Sequence, residues 1–174
     1  MERIKIVPKH IPEQVLDQMY DYLVLMTRSF GGLFTWGEAK RLHFITPIIV
    51  HISCLFEDFE ILVEESVFGN SLHVHGHFEF ILQRGEKKVC IIEAKKENMS
   101  QGVAQDLLGC DALADVQQSS SIYGIITNFL EWVFIRSLDD KIQEEHVYLT
   151  MRSEVVDKAG LKEITGKVYA LLSD

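Results

Sequence analysis

Cysteine, proline and long apolar runs are all scarce in this chain. Its three cysteines (Cys54, Cys90 and Cys110) are odd in number and widely spaced, which argues against a disulfide framework or a zinc cluster and favours reduced core thiols. No stretch approaches the roughly 20 apolar residues of a membrane span, and the N-terminus lacks the apolar run of a secretory signal. We therefore expect an intracellular protein, cytoplasmic or nuclear, that has no membrane partner.

Linkers, internal repeats and an excess of positive charge are also missing. The 174 residues are 47% hydrophobic, enough for one core, so we expect a single domain that spans residues 1–174. The formal net charge is -9. Such a charge argues against a general polyanion-binding surface, so a nucleic-acid enzyme of this composition needs local positive charge and metal ions.

The chain does contain two apolar, strand-like runs that each carry a carboxylate. Residues 76–82 include Glu79, and residues 89–96 include Glu93 and Lys95. Glu93 and Lys95 share one face, because side chains alternate along a strand. An acid and a base in so hydrophobic a segment are costly unless they are used. The pattern therefore indicates a divalent metal with a water nucleophile, although spacing alone is equally compatible with an exposed acid–base pair.

Helical and strand periods alternate along the sequence. Apolar residues at helical spacing predict a first helix from Pro12 to about Arg28. A second helix is predicted from Thr35 to about Phe56, with a kink or division at Pro47. The other predicted elements are strands at 60–68 and 72–83, a turn at 85–88, a strand at 89–95, a helix at 99–116, strands at 123–127, 131–137 and 146–151, and a helix at 155–172.

This order of elements predicts an α/β sandwich around one sheet, in which the two carboxylate-bearing strands are neighbours. Glu79 and Glu93 then converge at one edge of the sheet. Carboxylates that share a site repel each other, and Mg²⁺ or Mn²⁺ relieves the repulsion through oxygen ligation. Lys95, beside the metal, is expected to position the water or to stabilise the developing charge.

The ordered motifs resemble the PD-(D/E)XK nuclease superfamily, whose hallmark is an acid on one strand, then acid-x-lysine on the next, then a helix with glutamine. The pattern is most similar to the restriction-endonuclease-like domains of eukaryotic Crinkler-type effectors, and it covers about residues 36–137. The motifs that carry the resemblance are Glu38-Ala39-Lys40-Arg41, Phe44-Ile45-Thr46-Pro47-Ile48, Gly76-x-x-Glu79-Phe80, Ile92-Glu93-Ala94-Lys95-Lys96, Gln101-Gly102-Val103-Ala104-Gln105, Tyr123-Gly124-Ile125-Ile126-Thr127-Asn128 and Glu131-Trp132-Val133-Phe134.

The resemblance implies a restriction-endonuclease-like core, with a mixed central sheet flanked by helices in αβββαβ order and extra N- and C-terminal helices. It implies a nuclease that uses Mg²⁺ or Mn²⁺ to hydrolyse phosphodiester bonds, with DNA as the favoured partner and substrate and RNA as the alternative. Glu79 and Glu93 match the metal-binding acids, and Lys95 matches the catalytic lysine. Glu79 departs from the usual aspartate by about one carbon–carbon bond, a distance that matters for metal catalysis.

Several further residues take roles from the same resemblance. Glu38 matches a helix glutamate that supplies another metal ligand; the alternative is a capping box with Thr35. Gln105 matches the catalytic glutamine of the following helix, and Gln101 is a weaker match that would contact substrate. The alternative for both glutamines is a surface position on an amphipathic helix.

Positive and aromatic residues near these motifs have competing interpretations. Arg41, Lys96 and His77 are predicted phosphate contacts, as are Lys87 and Lys88 unless their turn is merely solvated. The set His73, His75 and His77 has the spacing of zinc ligands on a strand, but a polar strand face is the favoured reading. Phe129, Trp132 and Phe134 are interpreted as core residues rather than as base-stacking platforms.

A second function class is compatible with the same residues. The chain would then be a catalytically degenerate nuclease-fold module that binds nucleic acid or a protein partner. The glutamate at position 79 and the acidic net charge favour this alternative. The apolar helices predicted at each end also offer a surface for a homodimer.

Overall fold

The computed structural model describes residues 2–31, 37–69, 75–93, 109–111, 114, 121–138 and 141–173. The chain forms two compact units, each built from segments that are distant in sequence, and each unit is described by itself. The first unit comprises residues 1–5, 58–128 and 132–146, and the second comprises residues 6–57, 129–131 and 147–174.

The first unit is organised around a seven-stranded mixed sheet. In spatial order the strands are β1-β7-β6-β5-β4-β3-β2. Strands β2, β3 and β4 form an antiparallel meander, β4 and β5 are parallel, and β5 and β6 are antiparallel. The strands are β1 (Glu2–Arg3), β2 (Phe59–Phe68), β3 (His75–Arg84), β4 (Lys87–Glu93), β5 (Ser121–Thr127), β6 (Glu131–Leu138) and β7 (Lys141–Tyr148).

This sheet confirms the predicted β2–β3 hairpin and the predicted strands β5 and β6. The turn before β4 is shorter than predicted, because Lys87 and Lys88 already pair with Arg84 and Gln83. Strand β7 begins at Lys141, so its predicted start at His146 was wrong. Its segment KIQEEHVY has few apolar residues, and only one of its side chains is buried, which leaves little alternation to detect.

Two apolar clusters belong to the described core of the first unit. One contains Ile126, Val133 and Ile135 from β5 and β6. The other joins Phe78, Ile81 and Ile122 of the sheet to Cys110. Residues 109–111 and 114 are helical, in agreement with the predicted helix at 99–116, whose other residues lie outside the described part of the chain.

The second unit contains three described helices and a short ribbon of two strands. In α1 an apolar stripe at helical spacing is buried: Leu16, Met19, Leu23 and Met26. Phe44 of α2 packs edge-on against Phe129, with ring centroids 5.4 Å apart. The elements are α1 (Glu13–Phe30), α2 (Glu38–Ser53), β8 (Met151–Arg152), β9 (Val155–Val156) and α3 (Lys158–Ser173).

Helix α2 departs from the sequence prediction at its start, and it is not divided at Pro47. It begins at Glu38 with Gly37 at the N-cap and no side-chain cap, so the capping box with Thr35 is wrong. Pro47 lies inside the helix without dividing it. Nearby side chains bond to the helix backbone, since the Thr46 hydroxyl donates to the Leu42 carbonyl at 2.7 Å and His51 Nδ1 lies 2.7 Å from the Pro47 carbonyl.

Helix α3 starts later than the predicted Val155, because Val155 and Val156 pair with Arg152 and Met151. Asp157 then precedes the first turn and accepts a 3.0 Å hydrogen bond from the Gly160 amide, as an N-cap carboxylate does. None of the helices in the described ranges combines the length and apolar character that crossing a membrane requires.

Candidate functional site

The acids Glu79 and Glu93 are carried by two neighbouring strands, with Glu79 in the middle of β3 and Glu93 at the end of β4. Phe80 of β3 pairs with Ile91 of β4; Glu79 comes one residue before Phe80, and Glu93 comes two residues after Ile91. Glu93 is the last residue of β4 and pairs in register with Thr127, which is fully buried on β5. Glu79 is half-buried. The two carboxylates are therefore carried by adjacent strand segments.

The strand around Glu79 is irregular. Its register partner on β2 would be Glu64, but the ladder skips this pair between Val63↔Phe80 and Glu65↔Phe78. Glu64 has a φ of 52°, in the left-handed region that side chains other than glycine rarely adopt. A conformation of this kind costs free energy, and such distortions recur at sheet edges and beside functional sites.

The packing of the core also indicates that side-chain alternation along β3 is broken near Glu79. Phe78 and Ile81 are three positions apart, so an undistorted strand would direct them to opposite faces. Both nevertheless belong to one buried cluster with Cys110. Alternation is therefore interrupted between Phe78 and Ile81, in the segment that contains Glu79.

The interruption bears directly on the metal hypothesis. With strict alternation, the β3–β4 register would assign the positions of Glu79 and Glu93 to opposite faces of the sheet. A one-residue break reverses the face of the residues on one side of it. Glu79 lies within the interrupted segment, so strict alternation does not assign it to the face opposite Glu93.

Other predicted site residues are distributed differently. Lys95, Lys96, Gln101 and Gln105 lie outside the described residues, so their roles stay predictions. Glu38 and Arg41 belong to the second unit, at the start of α2. Arg41 is only 7% exposed and already interacts with another group of the protein.

The structure also bears on the zinc-ligand interpretation of the histidines and on the base-stacking interpretation of the aromatic residues. His77 is exposed on β3, and its Nδ1 lies 3.2 Å from the Ser66 hydroxyl on β2, as expected of a polar strand face. His73 lies outside the described residues. In the part of the chain that the structure describes, no three His, Cys, Asp or Glu residues form a group that could hold a metal. The aromatics Phe129, Trp132 and Phe134 are fully buried, which confirms that they are core residues.

The two cysteines whose side chains are described are both free thiols, but only Cys110 is buried. Cys54 is exposed at the C-terminal end of α2, so the expectation of a core thiol was wrong there. Its apolar neighbours suggested burial. However, the helix ends at Ser53, and a residue beyond the last turn is not held on the buried face.

The sequence reading missed one charged cluster on the sheet. Lys87 on β4 and Arg136 on β6 both approach the ring of Tyr123 on the strand between them. The sequence pattern predicts a turn at Lys87, and Arg136 is more than 40 residues away in the chain. Only the strand register, in which Arg136 pairs with Tyr123, brings the three residues together.

Comparison with known proteins gives one curated relative that spans nearly the whole chain. The chain is 39% identical over 166 residues to a protein of Phytophthora infestans named Crinkler effector protein 5. The alignment covers 95% of this chain and 48% of the relative, so the chain spans about half of that protein's length. This similarity supports a Crinkler-like relation. No protein-family model matches the chain. No solved structure matches it either.

Proposed function

We propose that this chain is a metal-dependent nuclease domain of the PD-(D/E)XK type that hydrolyses phosphodiester bonds, in DNA rather than RNA. The order of motifs supports this reading, and the Crinkler-like relation agrees with the group of proteins that those motifs resemble most. The observation that carries the proposal is the interrupted alternation at Glu79, beside the end of the strand that carries Glu93.

The carboxylates of Glu79 and Glu93 are the residues that would hold Mg²⁺ or Mn²⁺. Such an ion acidifies a bound water and stabilises negative charge on the phosphate under attack. Two carboxylates that share a site repel each other, and their mutual repulsion favours capture of a divalent cation. Lys95 follows Glu93 by two residues and would donate to the attacking water or to a phosphate oxygen. Gln105 would orient the substrate.

The test is a cleavage assay with single- and double-stranded DNA and RNA in Mg²⁺, Mn²⁺ or EDTA. We expect cleavage of DNA with either metal and none in EDTA. Glu93→Gln and Lys95→Met should each lower the cleavage rate by about a hundredfold or more, because each removes a group that acts on the developing charge. Glu86→Gln is the matched control, since Glu86 is an exposed carboxylate in the β3–β4 turn, and it should cleave like the wild type.

The competing function is a degenerate nuclease-fold module that binds nucleic acid or a protein. Glutamate in place of the family's aspartate at position 79 favours it, as does the net charge of -9. Folded protein that cleaves none of the four substrates, and whose calorimetric titration with Mn²⁺ shows no binding, would support the module and reject the nuclease.

A further inference from the structure

Three neighbouring strands place two cations around one aromatic ring. Lys87 Nζ lies 5.1 Å from the centroid of the Tyr123 ring, and Arg136 Cζ lies 5.6 Å from it. The ring is on β5, between β4 and β6, and Arg136 is its register partner. These distances bring the two cationic centres within about 11 Å of each other.

Arg136 leaves hydrogen-bonding capacity unused in this cluster. Arg136 Nε is shielded from solvent and has no hydrogen-bond acceptor. In the described part of the chain, no carboxylate pairs with the Arg136 guanidinium. A shielded donor without an acceptor is costly, and two like charges near one ring repel each other. Attraction to the ring face offsets only part of that cost.

We propose that Lys87, Tyr123 and Arg136 form a binding site for a phosphate group. A phosphate presents several acceptor oxygens and a full negative charge, which suits the planar fork of arginine and the point charge of lysine together. The Tyr123 ring holds both cations in place from the middle strand. A positive site of this kind stands out in a chain with a net charge of -9.

The site is separate from the proposed metal centre. Lys87 is the first residue of β4 and Glu93 is the last, so their positions are about 20 Å apart along the strand. The phosphate can belong to a nucleic-acid strand or to a small phosphorylated compound. The inference does not depend on catalysis, and it is tested in EDTA.

The experiment follows the Nε–Hε resonance of Arg136 by NMR while inorganic phosphate replaces chloride at constant ionic strength. We expect the Arg136 resonance to move and saturate. Arg84 provides the reference within the same spectrum, because its Nε already donates to Asp58 Oδ1 at 3.0 Å. A second titration uses a short single-stranded DNA that lacks a terminal phosphate.

Variants test whether the three residues act together. Arg136→Gln and Lys87→Gln should each weaken phosphate binding about tenfold, the loss expected for one charge-assisted hydrogen bond. Binding by Lys87→Gln is followed on Arg136, and binding by Arg136→Gln is followed by calorimetry. Tyr123→Phe keeps the ring and should bind nearly as well as the wild type, whereas Tyr123→Leu should bind more weakly. Lys88→Gln is the matched control, because Lys88 is the next residue on β4 and points to the other face.

The outcomes separate cleanly. Saturation with both ligands supports the site and identifies phosphodiesters among its ligands, and saturation with inorganic phosphate alone supports a site for a small phosphorylated compound. If neither ligand saturates, or if every arginine resonance shifts alike, the proposal is overturned. A normal thermal transition in each variant excludes misfolding as the cause of lost binding.

Discussion

Gly109 and Phe78 make the tightest contact next to the proposed site. A Cβ atom built on Gly109 would lie only 2.7 Å from Cε1 of the Phe78 ring. Phe78 is fully buried and directly precedes Glu79 on β3. The Phe78 ring therefore occupies the space that a side chain at position 109 would fill. The position of this ring is also the evidence for the break in strand alternation.

We predict that Gly109→Ala destabilises the protein and also disturbs the carboxylate site. The added methyl group forces the Phe78 ring or the strand to shift, and overpacking of this kind typically costs about 1–3 kcal/mol. Chemical denaturation measures the loss in the free energy of unfolding. A parallel Mn²⁺ titration should show weaker binding, because a shift at Phe78 also moves Glu79.

Gly160→Ala is the control for this substitution. Gly160 also lies in a helix, but the nearest atom to its Cβ position is Leu149 Cδ1 at an ordinary 3.4 Å. Its free energy of unfolding should stay the same or rise by up to about 1 kcal/mol, because alanine loses less backbone entropy than glycine. Equal stability of the two alanine variants would contradict the packing argument at Gly109.

A comparison of the predicted and observed helices and strands shows which sequence signals are sufficient to predict an element. The apolar stripe of α1 and the β2–β3 hairpin were predictable, because one periodicity and one turn signal define each of them. The start of α2 was not, because Thr35 and Glu38 have capping-box spacing but the helix begins after Gly37. The cluster around Tyr123 was not predictable either, because it depends on register between strands that are distant in the chain.

The candidate site also has one part that the sequence predicts and one part that only the structure shows. Acid-x-lysine spacing identified Glu93 and Lys95 as a possible metal-site pair, and that identification needs only the order of residues. The break in alternation near Glu79 could not be predicted from the sequence, because residues 76–82 have the pattern of an ordinary apolar strand. It becomes visible only when Phe78 and Ile81 are found in one cluster.

Helices α1 and α3 are joined by two surface ion pairs that respond to opposite ends of the pH range. Lys162 Nζ donates to Glu13 Oε1 at 2.6 Å, and this hydrogen bond holds the pKa of Glu13 below 4.5. Lys158 donates to Asp17, and that hydrogen bond raises the pKa of Lys158 above 10.5. Both pairs are exposed to solvent, so each contributes little and is screened by salt.

We predict an acid-side loss of stability that Lys162→Gln removes. Because the folded-state pKa of Glu13 lies below its unfolded value, the pair stabilises the protein above about pH 4.5, and this contribution is lost as the pH falls through the folded value. The difference in the free energy of unfolding between wild type and Lys162→Gln should therefore shrink from pH 6 to pH 3. Urea denaturation at low salt measures it.

Lys141→Gln is the matched control for this pH series, because Lys141 is an exposed lysine on β7. Its difference from wild type should change little over the same pH range. If the Lys162→Gln difference stays constant from pH 6 to pH 3, the linkage through Glu13 is wrong. The hydrogen bond to Asp17 raises the pKa of Lys158, so the stabilisation linked to Lys158 is lost as the pH rises beyond 10.5.

The net negative charge of the chain opposes the binding of a polyanion such as nucleic acid. With 26 acidic and 17 basic side chains, the protein repels nucleic acid at long range. A divalent cation held by Glu79 and Glu93 would reduce that repulsion where the substrate has to approach. Metal binding should therefore be detectable without any substrate, as a change in the stability of the folded protein.

We predict that Mn²⁺ raises the thermal transition of the wild type and leaves that of Glu93→Gln unchanged. A ligand that binds only the folded state, at a free concentration one hundred times its Kd, stabilises it by about 2.7 kcal/mol, or about 5–10 °C for a chain of this size. Glu86→Gln, which alters an exposed turn carboxylate, should shift like the wild type. Equal shifts in all three proteins would mean that Mn²⁺ binds elsewhere, and no shift in any of them would remove the metal centre from the proposal.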